Sequence, residues 1–160
     1  MKSDRPSFLA DAMLGSLAKK LRLLGIDTVY LNDADDSELK YLTRSQGRIL
    51  LTKDKAFVRR LPGQVWLVDG NNVQEEFVFI AASLSAVSGQ LEPFSRCLDC
   101  NGLLQSIEPT DAQGIVPPYI YQAKKIFSRC SSCGKIFWEG THRKRMEEEV
   151  AWMREKIVGA

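Results

Sequence analysis

No run of about 18 apolar residues occurs in the sequence, which argues against a membrane-spanning helix. Histidine is nearly absent. His142 stands alone, so a mechanism that pairs two histidines as acid and base has no residues to draw on. No glycine-rich loop of the P-loop type appears, and no Gly-x-Ser-x-Gly elbow, which removes two common ways of handling phosphates and esters. Excess charge is small. A formal net charge of +2 supplies no global basic field that would by itself imply nucleic acid. The opening residues Met1-Lys2-Ser3-Asp4-Arg5-Pro6 do not resemble a signal peptide. A cytoplasmic protein with no membrane partner is the expectation.

The 160 residues, 44% hydrophobic, suffice for one good core or for one domain with a small accessory unit. Up to residue 88, strand and helix signals alternate. Phe8-Leu9-Ala10 is a short apolar run. Leu14, Leu17, Leu21 and Leu24 then recur at helical spacing, closed by Gly25 as a left-handed cap. Thr28–Leu31 reads as a second strand, followed by a helix from about Ser37 to Gln46 that stops at Gly47. Arg48–Thr52 is a third strand, with a short helix at 56–60 ending before Pro62-Gly63. Val65–Val68 is a fourth, and a helix with Val73, Phe77, Ile80, Ala81, Leu84 and Val87 on one face completes the unit. Such alternation predicts a short parallel sheet covered on both faces, with strand order 2-1-3-4.

Gly89–Ser95 reads as a linker, and from Arg96 to Trp138 the texture changes: all four cysteines fall here, with little helical periodicity. Thr141 is placed to cap a last helix running to about Val158, with Met146, Val150, Met153 and Ile157 on one face. The expected organisation is therefore a first domain over 1–90, a cysteine module over 91–140, and a C-terminal helix over 141–160 packed on one of the two.

Each predicted strand is followed within a few residues by aspartate: Asp11, then Asp33, Asp35 and Asp36, then Asp54, then Asp69. In an open parallel sheet the carboxyl ends of the strands share one edge, and ligands bind where the strand order reverses. Asp11 and Asp54 would face each other across that crevice. Clustered carboxylates repel without a cation, and an oxygen-only set suits Mg²⁺ or Mn²⁺, ions that assist hydrolysis of phosphodiesters. Against this stands a simpler use: aspartate after a strand often caps the next helix. Thr52 has the same two sides, an ordinary strand-end threonine or a group that orients Asp54.

The cysteines form two Cys-x-x-Cys pairs, Cys97/Cys100 and Cys130/Cys133, separated by residues 101–129. Two such knuckles supply four soft ligands for tetrahedral Zn²⁺. A closed four-cysteine site has no open coordination position, so this zinc is expected to be structural. Disulfides are the alternative, disfavoured in a reducing compartment. Seven basic residues lie between Lys124 and Arg145 (Lys124, Lys125, Arg129, Lys135, Arg143, Lys144, Arg145) against one acid, Glu139. With Tyr119, Tyr121, Phe127, Phe137 and Trp138 interleaved, this stripe suits single-stranded RNA. It also suits a solvated face on a packed module. Lys19 and Arg22, on the first helix, are further candidates for RNA phosphate, and His142 for an RNA contact or a structural hydrogen bond.

Phe8-Leu9-Ala10-Asp11-Ala12-Met13-Leu14-Gly15 and Leu21-Arg22-Leu23-Leu24-Gly25 resemble the start of the mut-seven C-terminal ribonuclease domain. The likeness continues through Asp35-Asp36-Ser37-Glu38-Leu39, Gly47–Asp54, both cysteine pairs and Trp138-Glu139-Gly140-Thr141-His142. The resemblance implies an α/β, PIN-like three-layer fold with a C-terminal zinc ribbon, divalent metal and endonucleolytic cleavage of RNA. By position Asp11 is similar to that family's first acid, Asp36 to the acid at the helix start, and Asp54 to the acid of the Thr-x-Asp motif. Asp35 or Glu38 are alternatives to Asp36, and Asp69 is placed as a fourth. Two rival functions remain open from the sequence: a non-catalytic RNA- or ribosome-binding adaptor, and a nuclease acting on DNA or flaps.

Overall fold

The computed structural model describes residues 5–160; residues 1–4, on which part of the N-terminal reading rests, lie outside it. Four parallel strands, β1 (Phe8–Ala10), β2 (Thr28–Tyr30), β3 (Ile49–Thr52) and β4 (Val65–Leu67), form one sheet in the order β2-β1-β3-β4. That is the order expected from the alternation. The helices are α1 (Gly15–Leu23), α2 (Asp36–Gln46), α3 (Lys55–Arg60) and α4 (Val73–Ala81).

Strand pleating sends alternate side chains to opposite faces, and both faces are covered. Phe8 and Ala10 of β1 and Leu51 of β3 pack with Leu17 and Leu21 of α1 and with Phe77 and Ile80 of α4. Leu9 and Leu50 face the other way, onto Leu39 of α2 and Phe57 and Leu61 around α3. Each of these large side chains, withdrawn from water, contributes about 1.5–3 kcal/mol. The three layers follow from this alternation, since neither face of the central strands is polar.

Helix α1 ends in paired backbone bonds: Gly25 N–H donates to Arg22 O at 2.9 Å and Ile26 N–H to Leu21 O at 3.0 Å. This closure places Gly25 at φ +82, which glycine adopts without strain.

The helix expected to run from 73 to 87 is interrupted. It is α-helical only to Ala81 and continues as tighter 3-10 turns over Ala82–Gln90. Three serines and a glycine follow Ala82 in this stretch, and all lower helix propensity. The segment read as a linker is fastened down: Phe94 N–H donates to Leu23 O at 3.0 Å and Leu91 packs on the core.

The cysteine-bearing region holds β5 (Leu104–Ile107), β6 (Phe127–Cys130) and β7 (Ile136–Trp138), antiparallel in the order β5-β6-β7. Within the gap between the cysteine pairs, β5 and β6 pair antiparallel and their connection carries two short helices, α5 (Pro109–Ala112) and α6 (Pro118–Ala123). Each starts on a proline, whose fixed φ suits a first helical position. Ala112, Val116, Phe127 and Ile136 make a small core there.

The last helix, α7 (Arg143–Val158), does not use Thr141 as its cap. His142 occupies the cap position with no side-chain bond. Its apolar face, Val150, Met153 and Ile157, joins the main core, and Trp152 meets Phe77 with ring centroids 5.7 Å apart. Lys20 of α1 pairs with Glu149 across the same contact.

Candidate functional site

Asp11 leaves the end of β1 and Thr52 ends β3, the neighbouring strand. Ala10 stands beside Leu51 in the parallel register, so the next residues, Asp11 and Thr52, are also neighbours on one face of the sheet. The Thr52 hydroxyl, fully buried, donates to Asp11 Oδ2 at 2.8 Å and accepts the Asp54 N–H at 3.1 Å. One hydroxyl therefore ties the first and third acids together. Asp11 Oδ1 accepts Ala12 N–H at 2.7 Å, and Asp54 Oδ1 accepts Ala56 N–H at 2.8 Å, capping α3.

The remaining acids of this edge are engaged separately. Asp35 caps α2 by accepting Glu38 N–H at 2.8 Å. Asp36, the first residue of α2, is paired with Arg60 at 2.8 Å on exposed surface. Asp69 accepts the Gly70 N–H at 2.8 Å. Among the described residues, the four cysteines are the one group of three or more metal-type ligands whose donor atoms all lie within 4.8 Å of one another. The acids share an edge without closing to that spacing.

A residue that the sequence reading passed over lies just beneath this edge. Glu76 of α4 is 7% exposed and pairs with Lys53 at 2.7 Å, while Lys53 Nζ also donates to Gly70 O at 2.8 Å. Lys53, between Thr52 and Asp54, thus fixes the β4–α4 loop against the end of β3. The signal was present: Glu76 falls three residues after Val73, on the apolar face of its helix.

The thiols form the second site. Sγ atoms of Cys97 and Cys133 lie 3.9 Å apart, and those of Cys100 and Cys130 lie 3.4 Å apart. Tetrahedral Zn–S bonds imply an S–S separation of about 3.8 Å, so the set fits zinc. Cys130 Sγ accepts N–H groups of Ser132 and Cys133 at 3.4 and 3.5 Å. Gly102 leaves the room this packing needs, because a Cβ there would lie 2.6 Å from Cys130 Sγ. All four cysteines are free thiols. Burial raises the Cys130 thiol, but the two N–H bonds and the neighbouring thiols outweigh it and draw it down to about 7.

The two sites occupy opposite ends of the sheet. The acids follow the carboxyl ends of the strands. The first knuckle contacts Asp27 and Thr28 at the start of β2, at the amino ends. A strand of three to four residues separates these edges by about 10–13 Å. A cavity of about 410 Å³ also opens at the amino-end edge, among Arg5, Asp27, Gln46, Ile49, Leu91 and Arg96, away from the acids.

The expected RNA contacts divide. Lys19, Lys125, His142, Lys144 and Arg145 are exposed, and Lys124 is half-buried. Arg22 is not a surface residue: it is 5% exposed, and its guanidinium donates to the carbonyls of Thr28, Leu98 and Asp99. Arg143 lies 3.6 Å over the Phe94 ring and pairs with Glu147. Arg129 donates to Asp111 O at 3.2 Å, and Lys135 pairs with Asp99. Of the aromatics, Phe127 is buried and Tyr121 packs on the small core, whereas Tyr119 and Trp138 are exposed. Among the described residues no helix is long and apolar enough to cross a membrane.

Comparison with curated proteins and with solved structures gives no match. The family model of the Mut7-C RNAse domain matches residues 6–150, nearly the whole length, and the chain belongs to that family.

Proposed function

We propose that this protein is a metal-dependent endoribonuclease whose reacting edge is built on Asp11 and Asp54. The observation that carries this reading is the Thr52 hydroxyl, which binds the Asp11 carboxylate and the Asp54 backbone at once. A buried hydroxyl spanning two acids from adjacent strands holds their relative position, beyond what capping one helix requires. Family membership supports a nuclease-type hydrolase related to RNA; the ion and the endonucleolytic mode are this proposal's own.

Asp11 and Asp54 would hold Mg²⁺ or Mn²⁺, an oxygen donor set that suits hard cations. Asp36 and Asp69 stand as outer acids that join by rotating away from Arg60 and Gly70. The chemistry such an ion supplies when bound is neutralisation of charge at the phosphate and acidification of water. Thr52 orients Asp11, and the helix start after Asp54 fixes that carboxylate. The N-termini of α2, α3 and α4 all face this edge and favour an anionic backbone there.

The exposed bases Lys19, Lys125, Lys144 and Arg145, with Lys124, His142, Tyr119 and Trp138, are proposed to touch RNA remote from the scissile bond. Arg22 and Arg143 are withdrawn from this role, and Arg129 keeps at most part of its guanidinium for it. Zinc at the four cysteines is structural in this reading, and a cytoplasmic setting keeps the thiols reduced.

The test is cleavage of a mixed RNA pool with Mn²⁺ or Mg²⁺ and with EDTA. Asp54→Asn retains a capping oxygen, so the fold should survive while cleavage falls by at least about 100-fold. Equal cleavage by variant and wild type would overturn the proposal. The adaptor reading gains from one observation: Asp11, Asp35, Asp54 and Asp69 each accept a nearby backbone N–H. RNA binding with no cleavage under any metal would favour it, and preference for single-stranded DNA or flaps would move the substrate.

A further inference from the structure

The first cysteine knuckle is more than an appendage of the sheet. Arg22 belongs to α1, yet two of its three hydrogen bonds run to the carbonyls of Leu98 at 2.8 Å and Asp99 at 3.2 Å. These are the two residues between Cys97 and Cys100. The third runs to Thr28 O at 2.8 Å. Asn101, the residue after Cys100, accepts the Thr28 N–H at 3.0 Å and donates to Asp27 Oδ1 at 2.7 Å. Asp27 in turn takes both Nη atoms of Arg48, at 2.9 and 3.2 Å, and Arg48 also donates to Phe8 O. The knuckle thus supplies hydrogen-bond partners directly to the amino end of β2, and through Asp27 and Arg48 the network continues to the amino ends of β1 and β3.

Its shape is set by the metal turn. Asn101 N–H donates to Cys97 O at 2.9 Å, Cys97 N–H to Gly102 O at 2.8 Å, and Asn101 sits at φ +70. Asparagine tolerates that conformation better than most residues. The module's own core comprises four buried residues, two of them large, too little to hold the turn by packing alone. If the turn opens, a 5% exposed guanidinium keeps one carbonyl and loses two, and leaving a buried charge without partners is costly.

We infer that the Cys97–Cys100 knuckle is a latch on the parallel sheet: zinc at the four cysteines and closure of the sheet's amino-end edge through Arg22, Asn101 and Asp27 are one coupled equilibrium. Zinc loading therefore tightens the sheet, and the sheet tightens zinc, by the same factor. The latch concerns the edge opposite the acids and holds whether or not they cleave RNA.

The experiment is hydrogen exchange of the β1, β2 and β3 amides in the full chain, with Zn²⁺ alone and after a zinc chelator, beside a thermal melt. Chelation should lower protection across these strands and lower Tm by about 5 °C or more. Asn101→Ala keeps all four cysteines but cuts both bonds to Asp27 and Thr28. It should weaken zinc by about tenfold and shrink the zinc-induced Tm shift correspondingly. Unchanged strand protection in the chelated wild type would overturn the inference without any variant having to fold. So would an Asn101→Ala protein with wild-type zinc affinity and a wild-type shift.

Discussion

Thr52 and Asp11, neighbours across two parallel strands, are joined by a 2.8 Å hydrogen bond from a fully buried hydroxyl to a half-buried carboxylate. Thr52→Val keeps the branched shape and removes the donor. It leaves Asp11 with its other oxygen on Ala12 N–H, so the carboxylate persists but turns more freely. Cleavage should fall about tenfold, the equivalent of about 1.4 kcal/mol, with little change in KM for RNA. Thr52→Ser, which restores the hydroxyl, should recover most of the rate. Steady-state kinetics of the two variants check this, and equal rates for Val and wild type would remove Thr52 from the site.

Gly25 and Gly47 both end helices in left-handed conformation, at φ +82 and +64, yet they should respond differently to alanine. A Cβ on Gly47 meets nothing within 4 Å. Gly47→Ala therefore loses only the conformational term, about 1 kcal/mol. A Cβ on Gly25 would lie 2.1 Å from the backbone oxygen of Glu92, so the segment joining the sheet to the cysteine module must move. Gly25→Ala should cost about 1–3 kcal/mol more than its counterpart. Urea denaturation of both variants measures the difference.

The strand order and the acid edge were legible because they follow from alternation: apolar runs of three or four residues, each ended by aspartate. The four-cysteine cluster, able to hold a metal ion such as zinc, was legible from spacing alone. Arg22 was not. Its position on the polar side of the α1 pattern reads as solvent, and only the later knuckle, 76 residues on, covers it. Thr52 was legible as a residue but not as a bridge, since neighbouring strands need not come from neighbouring sequence. The break of α4 at Ala81 was written in serines and a glycine, but the strong apolar face through Val87 masked it. Thr141 has the right chemistry for a cap and the wrong position, one residue too early for a helix that begins at Arg143.

Asp27 links the knuckle to the sheet and carries a pH dependence. Burial pushes its carboxyl up, but the hydrogen bonds from Arg48 and Asn101 and the charges of Arg48 and Arg96 outweigh this and hold it below the usual aspartate value. A carboxyl depressed on folding stabilises the fold fully above its unfolded value, near pH 4. That contribution disappears as pH falls through the lower folded value. Asp27→Asn should thus be less stable than wild type at pH 7, and the gap should narrow progressively below about pH 4. Melts from pH 7 to pH 2.5, with zinc-free samples as the second arm because the thiols release metal in acid, check the sign. A gap that widens in acid would contradict it.

Arg60 holds Asp36 at 2.8 Å, with both side chains about half exposed. An exposed pair of this kind adds little to stability, so Arg60→Gln should leave Tm nearly unchanged. It has a second consequence if Asp36 belongs to the metal edge. The guanidinium competes with a divalent ion for the same carboxylate, and removing a neighbouring positive charge should tighten Mn²⁺ by about fivefold, roughly 1 kcal/mol. Titration of Mn²⁺ by its electron paramagnetic resonance signal, in zinc-loaded protein, reads the change directly. Asp36→Asn in the same assay should weaken binding, and the double variant should resemble Asp36→Asn alone, because without the carboxylate there is nothing for Arg60 to withhold. If Arg60→Gln leaves Mn²⁺ affinity where it was, Asp36 is a surface acid at the start of α2, and the site rests on Asp11 and Asp54 without it.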